Sequence, residues 1–143
     1  MTRVDVAILC ARIAAATVFI AHGSQKMFGA FGGPGLAGTV QFLGLIGYLV
    51  AVGEFFGGIG VLLGFMSRFS AAAQIVIMIG AIVKVHAPNG FFIGGPKPGY
   101  EFNLALIGLL LVPLIAGPGR IAVVNLFWEP RRHSGRPAPA LLQ

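Results

Sequence analysis

Long apolar stretches, separated by short glycine- and proline-rich segments, dominate the pattern of this chain. Four such stretches run over residues 4–23, 40–64, 69–87 and 102–116. A helix rises about 1.5 Å per residue, so about 20 residues cross the hydrocarbon core of a bilayer, which is about 30 Å thick. Each stretch is long enough or nearly so, and the fourth is the shortest. The pattern predicts an all-α integral membrane protein, a bundle of four transmembrane helices.

The connections between these stretches predict how the helices follow one another. Residues 28–35 and 88–99 are rich in glycine and proline, which predicts loops. The connection at residues 65–68 is short, so the second and third helices must form an antiparallel hairpin. Thr39 and Ser67 are predicted to cap the N-termini of the second and third helices.

The C-terminal part of the chain differs from the rest. Residues 121–128 are predicted to lie along the membrane interface, with Trp128 at the level of the lipid headgroups. Residues 131–143 are too polar and too rich in proline to fold alone. The predicted division is a four-span membrane domain over residues 1–130 and a flexible, basic cytoplasmic tail over residues 131–143.

The basic residues predict the orientation of the bundle. If both termini lie on one side of the membrane, the basic residues on that side are Arg3, Arg68, Arg120, Arg131, Arg132 and Arg136. Lys26 and Lys97 then lie on the other side. Lysine and arginine are enriched in the cytoplasmic loops of membrane proteins. Both termini are therefore predicted to be cytoplasmic.

Composition supports the membrane class and excludes others. The chain is 57% hydrophobic and 10% charged, whereas a soluble domain carries about 25% charged residues, so a water-soluble globule is excluded and the lipid bilayer is the expected partner. The net charge of +6 comes from bases that are not clustered with aromatic residues, which argues against nucleic acid as a partner. Cys10 is the single cysteine, so no disulfide can form within the chain.

Two charged residues fall deep inside the predicted spans. Arg12 lies in the first span and Glu54 in the second, at similar depths from the same side of the membrane. A charge at such a depth is costly, so it needs a partner or a cavity. Arg12 and Glu54 are therefore predicted to form a buried ion pair. The pair would either specify the fold without chemistry or take part in catalysis or transport.

Glycines form a stripe on the second predicted helix. Gly53, Gly57, Gly60 and Gly64 follow one another at steps of four, three and four residues, so they fall within about 60° of one another on the helix surface. Such a stripe lets a neighbouring helix approach closely, either inside the bundle or in a homo-oligomer.

Ionisable residues from separate segments are predicted to meet at the outer end of the bundle. His22 and Lys26 follow the first span, Lys84 ends the third span and Glu101 opens the fourth. These four residues are predicted to surround an outer polar cavity. The alternative is that Lys26 and Lys84 extend to the headgroups while Glu101 only caps its helix.

Metal and haem sites are not expected. No cluster of histidine, cysteine or carboxylate residues has the spacing of a metal site. A bis-histidine haem would need His22 and His86. On a regular helix His86 lies about 200° from Lys84, on the opposite face from the predicted cavity, which argues against haem.

An ordered set of short motifs resembles the DoxX family of small four-span bacterial membrane proteins, over the whole chain apart from the tail. The motifs are Arg12, His22-Gly23-x-x-Lys26, Glu54-x-x-Gly57-Gly58, Leu62-Leu63-Gly64, Arg68, His86, Gly90-Phe91-Phe92, Gly99-x-Glu101 and Gly117-Pro118-Gly119. The resemblance implies a bundle in the cytoplasmic membrane, related to subunits of thiosulfate:quinone oxidoreductase and to membrane components of complexes that handle thiol and oxidative stress. After the Gly-Pro-Gly turn the family often continues with serine and aspartate, whereas Arg120-Ile121-Ala122 follows here.

Three functional hypotheses follow. The first is a membrane subunit of a redox complex, which lends a quinone-headgroup site or an anchor to a soluble enzyme. Because the sequence contains no recognisable redox centre, a partner protein would bring the electrons. The second is a small proton-coupled transporter, but its carboxylate should be free to bind and release a proton, whereas Glu54 is predicted to be paired. The third is a purely structural scaffold.

Overall fold

The computed structural model describes residues 1–127, and throughout that range the regular elements are helical. The α-helices are α1 (Arg3–Phe28), α2 (Gly35–Leu43), α3 (Ile46–Leu63), α4 (Ser67–Ala81), α5 (Glu101–Ala116) and the short α6 (Val124–Phe127). A 3₁₀ turn follows α1 at Ala30–Gly32, while a π-helical turn (Ile82–His86) and a 3₁₀ turn (Ala87–Asn89) extend α4. The all-α prediction is confirmed for the described residues. Trp128 and the predicted tail at 131–143 lie outside them.

Within residues 1–127, three helical segments are long and apolar enough to cross a membrane: Arg3–Phe28, Ile46–Leu63 and Ser67–Asn89. Glu101–Ala116 is a shorter apolar helix. In the bundle, α1 packs against α2, α3 and α5, and α4 packs against α3 and α5. The buried core consists of Ala15, Ala16, Phe19, Val61, Ala71, Met78, Leu106 and Leu110. Many large apolar side chains remain exposed on the outside, as expected for a surface that faces lipid.

The second apolar stretch is broken, where the sequence predicted one helix. Gly44 ends α2 with φ +69° and ψ −158°, a backbone conformation that favours glycine. A hydropathy pattern does not distinguish a continuous apolar helix from two helices joined at a sharp turn. Thr39, predicted to be the cap, lies instead inside α2, where its hydroxyl donates to the Gly35 carbonyl at 2.8 Å.

The start of α4 also differs from the prediction. Ser67 is the first helical residue rather than the N-cap, and Met66 takes the cap position with φ +46°. No side-chain hydrogen bond caps this end of α4. The turn before α4 is nevertheless as short as the sequence predicted.

The backbones of α1 and α3 approach each other closely at Gly23. A Cβ atom placed on Gly23 would lie 2.6 Å from Cα of Phe55, so only glycine fits there. The glycine stripe faces another neighbour: a Cβ on Gly57 would meet the amide of Gln74, and one on Gly53 would meet Ile77, both on α4. Gly64 ends α3 with φ +70° and has other neighbours, since a Cβ there would meet Ala122 and Arg12.

Replacing Gly23 by alanine is expected to destabilise the bundle by about 1–3 kcal/mol, because the added methyl group forces two backbones apart. Thermal unfolding in detergent measures the effect. Gly80→Ala and Gly108→Ala are matched controls, since a Cβ at either position meets nothing within 4 Å. An unchanged melting temperature for Gly23→Ala would show that α1 and α3 do not approach this closely.

Candidate functional site

A large apolar cavity lies at the end of the bundle where α1 ends and α5 begins. It encloses about 970 Å³ and is walled by α1, α2, α3, α4 with its π-helical turn, and α5. Most lining atoms are apolar, and the charged or polar side chains on its wall are His22, Lys26, Thr39, Glu54, Lys84, His86 and Asn103. We call this space the central cavity. Apolar walls with few polar groups are typical of sites for small organic ligands.

An ion pair between α1 and α3 forms part of the cavity wall. The ammonium of Lys26 lies 2.5 Å from Oε2 of Glu54. The Glu54 side chain is 4% exposed and that of Lys26 is 23% exposed, so the lysine is the more accessible partner. The close contact of Gly23 with Phe55 explains the pairing, because Lys26 follows Gly23 by one helical turn and Glu54 precedes Phe55.

The predicted ion pair between Arg12 and Glu54 is wrong. Arg12 is 1% exposed, and its guanidinium donates hydrogen bonds of 2.5–2.8 Å to the backbone carbonyls of Val61, Leu62, Pro118 and Ile121. The first two carbonyls belong to the last turn of α3, where carbonyls lack the amide that a continuing helix would supply; the Val61 carbonyl also accepts from the Gly64 amide at 3.3 Å. Arg12 thus joins the end of α3 to the segment after α5.

An offset of α1 and α3 along their axes separates Arg12 from Glu54. Glu54 precedes Val61 by seven residues, which separates them by about 10 Å along the axis of α3. Arg12 lies level with Val61, whereas Glu54 lies level with the last turns of α1. The count assumed that the first two spans end at the same level on the terminal side, whereas α1 begins at Arg3 and Arg12 already lies level with the end of α3.

Gln74 is a buried polar residue that the sequence analysis did not select. Its amide nitrogen donates to the carbonyls of Glu54 at 3.0 Å and Gly53 at 3.2 Å. Gly57 leaves the space for this side chain. A lone glutamine within the third apolar stretch, four residues after Ser70, was the available signal.

The structure brings together three of the four residues of the predicted outer polar cavity. His22, Lys26 and Lys84 line the central cavity, and Glu54 joins them. Glu101 is not part of the wall: Oε1 of Glu101 accepts a hydrogen bond from the Ile93 amide at 2.7 Å. As the first residue of α5, Glu101 can turn back toward the preceding loop.

His86, at the end of the π-helical turn, lines the central cavity, contrary to the prediction. On a regular helix Lys84 and His86 would lie on opposite faces, but both line the central cavity. Nδ1 of His86 lies 3.0 Å from the Pro98 carbonyl oxygen. Among residues 1–127 no three histidine, cysteine or carboxylate residues are grouped as metal ligands would be.

The DoxX family model matches residues 7–87. The chain belongs to the DoxX family. The matched region of this DoxX protein contains Lys26, Glu54 and Lys84, and it ends before α5. No solved structure matches the chain.

Three bacterial relatives resemble this DoxX protein along most of their length. A Bacillus subtilis protein named "Putative oxidoreductase CatD" is 32% identical over 75% of this chain and 79% of its own. Two Escherichia coli proteins, the inner membrane proteins YqjF and YphA, are each 30% identical, over 85% and 82% of this chain and 92% and 88% of theirs. With its apolar helices, this DoxX protein is a multi-pass bacterial membrane protein, as the sequence predicted.

Proposed function

We propose that this chain is a membrane subunit of a redox complex and that its central cavity binds the headgroup of a quinone. The supporting observation is the Lys26–Glu54 ion pair in the wall of a cavity of about 970 Å³ whose lining is mostly apolar. The oxidoreductase name of one relative agrees with this class of function. In this role the chain contributes the binding site, and a partner protein would deliver the electrons.

The donor set of the cavity fits a quinone headgroup. Such a group needs a hydrogen-bond donor for each carbonyl oxygen and apolar surface for its ring and tail. Lys26 and His22 can donate, and side chains such as Phe19, Leu49 and Leu106 supply apolar wall. When bound, a quinone supplies two-electron chemistry that is coupled to protons.

The residues of the ion pair would have separate roles. Lys26, the more exposed partner, can keep one N–H on Glu54 and direct another into the cavity, where it would stabilise negative charge that develops on a carbonyl oxygen. His22 or Glu54 can hold the proton that such an oxygen takes up. Lys84 would contribute positive charge from the π-helical turn.

Binding of a quinone analogue to the protein purified in native lipid tests the proposal. Lys26→Gln and His22→Leu are expected to weaken binding about tenfold or more, since each removes a donor from the wall. Arg68→Gln is the matched control because Arg68 is exposed at the other end of the bundle, and it should bind like wild type.

Two results would overturn the quinone site. One is wild-type affinity in both cavity variants, and the other is no binding by the wild-type protein. Either would favour the anchor or scaffold role. Proton-coupled transport would instead require Glu54 to release its partner Lys26.

The optical spectrum of the purified protein is expected to show no haem bands.

The proposed topology has four spans with both termini in the cytoplasm. In the described range, Arg3, Arg68 and Arg120 lie at the terminal end of the bundle, which supports that orientation. In a Cys10→Ser background, Gly94→Cys should react with a membrane-impermeant thiol reagent on intact cells, whereas Phe65→Cys should react only after permeabilisation. The reverse pattern would invert the orientation.

A further inference from the structure

A smaller pocket opens beside the central cavity, at the loop between α4 and α5. It encloses about 320 Å³, and its lining includes Phe42, Lys84, Val85, His86, Asn89 and Lys97. We call it the mouth pocket. Phe42, Lys84, Val85 and His86 also line the central cavity, so the two spaces adjoin.

The mouth pocket carries uncompensated positive charge. Lys84 and Lys97 both line it, and among residues 1–127 neither forms an ion pair. The carboxylate of Glu101, the acidic residue nearest in sequence, is bonded to the Ile93 amide and does not line the pocket. Two lysines without a facing carboxylate favour an anionic ligand.

Hydrogen bonds hold the wall of the mouth pocket in place. The Pro98 carbonyl lies 3.0 Å from Nδ1 of His86 and accepts from Nδ2 of Asn89 at 3.1 Å. The same Asn89 amide donates to the Val85 carbonyl. These bonds tie the loop that carries Lys97 to the π-helical turn that carries Lys84, so the two lysines face one pocket without further folding.

The lining of the mouth pocket also includes apolar side chains. Phe42, from α2, is 75% exposed, and Val85 lies beside the lysines. We infer that the mouth pocket binds the phosphate of an anionic phospholipid, with Lys84 and Lys97 on the phosphate and an acyl chain against Phe42. Lysine side chains near the ends of spans extend to the level of the headgroups, which places the phosphate within their reach. This inference does not rest on the proposed quinone site.

Native mass spectrometry of the purified protein tests the lipid site, with phosphatidylglycerol and phosphatidylcholine of identical chains as probes. The wild type should retain phosphatidylglycerol in preference, and the preference should fall about fivefold for each lysine removed in Lys84→Gln and Lys97→Gln. Arg3→Gln/Arg68→Gln is the matched control, since it removes two bases from the other end, and it should keep the preference.

Several outcomes would overturn the inference: equal retention of both lipids by wild type, an unchanged preference in Lys84→Gln/Lys97→Gln, or an equal loss in the control variant. Displacement of phosphatidylglycerol by millimolar inorganic phosphate would assign the pocket to a soluble anion instead. Lys97 does not line the central cavity, so Lys97→Gln should still bind the quinone analogue. Failure of the quinone proposal is thereby distinguished from failure of the lipid site.

Discussion

Arg12→Met is expected to abolish most of the folded yield in detergent. The substitution leaves four backbone carbonyls without their donor, at the end of α3 and in the segment after α5. A hydrogen bond to a charged group contributes about 1.5–3 kcal/mol, whereas the whole stability of a domain is about 5–15 kcal/mol. Size-exclusion chromatography and the melting temperature measure the loss.

Three further variants separate this role of Arg12 from others. Arg12→Lys should be intermediate, because an ammonium lacks the planar fork that reaches several carbonyls. Arg68→Met is the matched control: Arg68 makes one long hydrogen bond of 3.4 Å, to the Ile115 carbonyl, and its loss should change little. Arg12→Met/Glu54→Leu should fold no better than Arg12→Met. Recovery in that double variant would reinstate the ion pair that the sequence predicted.

The second large effect is expected at the Lys26–Glu54 pair. Glu54→Leu and Lys26→Met should each lower stability, by about 3–5 kcal/mol if the remaining charge stays buried. The loss should be larger for Lys26→Met, because it strands the more buried carboxylate. Lys26→Met/Glu54→Leu should recover much of the loss, since it leaves no unpaired charge. A double-mutant cycle in thermal unfolding measures the coupling.

A matched cycle on Lys84 and Glu101 supplies the comparison. Both residues are charged and lie at the same end of the bundle, but no ion pair joins them, so their substitutions should be additive. Additivity at Lys26 and Glu54 would mean that these two side chains do not touch in the membrane. A folded Lys26→Met/Glu54→Leu protein that no longer binds a quinone analogue would show that the pair serves the ligand as well as the fold.

Much of the fold follows from local sequence. The helix predicted over residues 102–116 differs from α5 by one residue. A single apolar segment in lipid must form its backbone hydrogen bonds within itself, which only a helix allows. The family resemblance, carried by short motifs in order, is confirmed by the family match. The break at Gly44 and the π-helical turn at Ile82–His86 were not predicted, because hydropathy alone does not report backbone angles.

Much of the candidate site could also be selected from sequence, but its pairing could not. A charge inside a span is costly wherever it lies, and this local fact was sufficient to single out Arg12 and Glu54. Lys26 was selected separately, as one of the ionisable residues at the outer end of the bundle. Whether Arg12 or Lys26 reaches Glu54 depends on how α1 and α3 slide and rotate against each other.

In the tertiary structure that pairing depends on a backbone contact that involves neither charged side chain. Gly23 admits the backbone of Phe55, which sets Lys26 level with Glu54 and leaves Arg12 level with the end of α3. The sequence by itself therefore determined which side chains need partners in lipid, because the cost of burial belongs to each residue. Only the packing of the helices decided which partners they meet, because a contact depends on how the surfaces of two helices fit together.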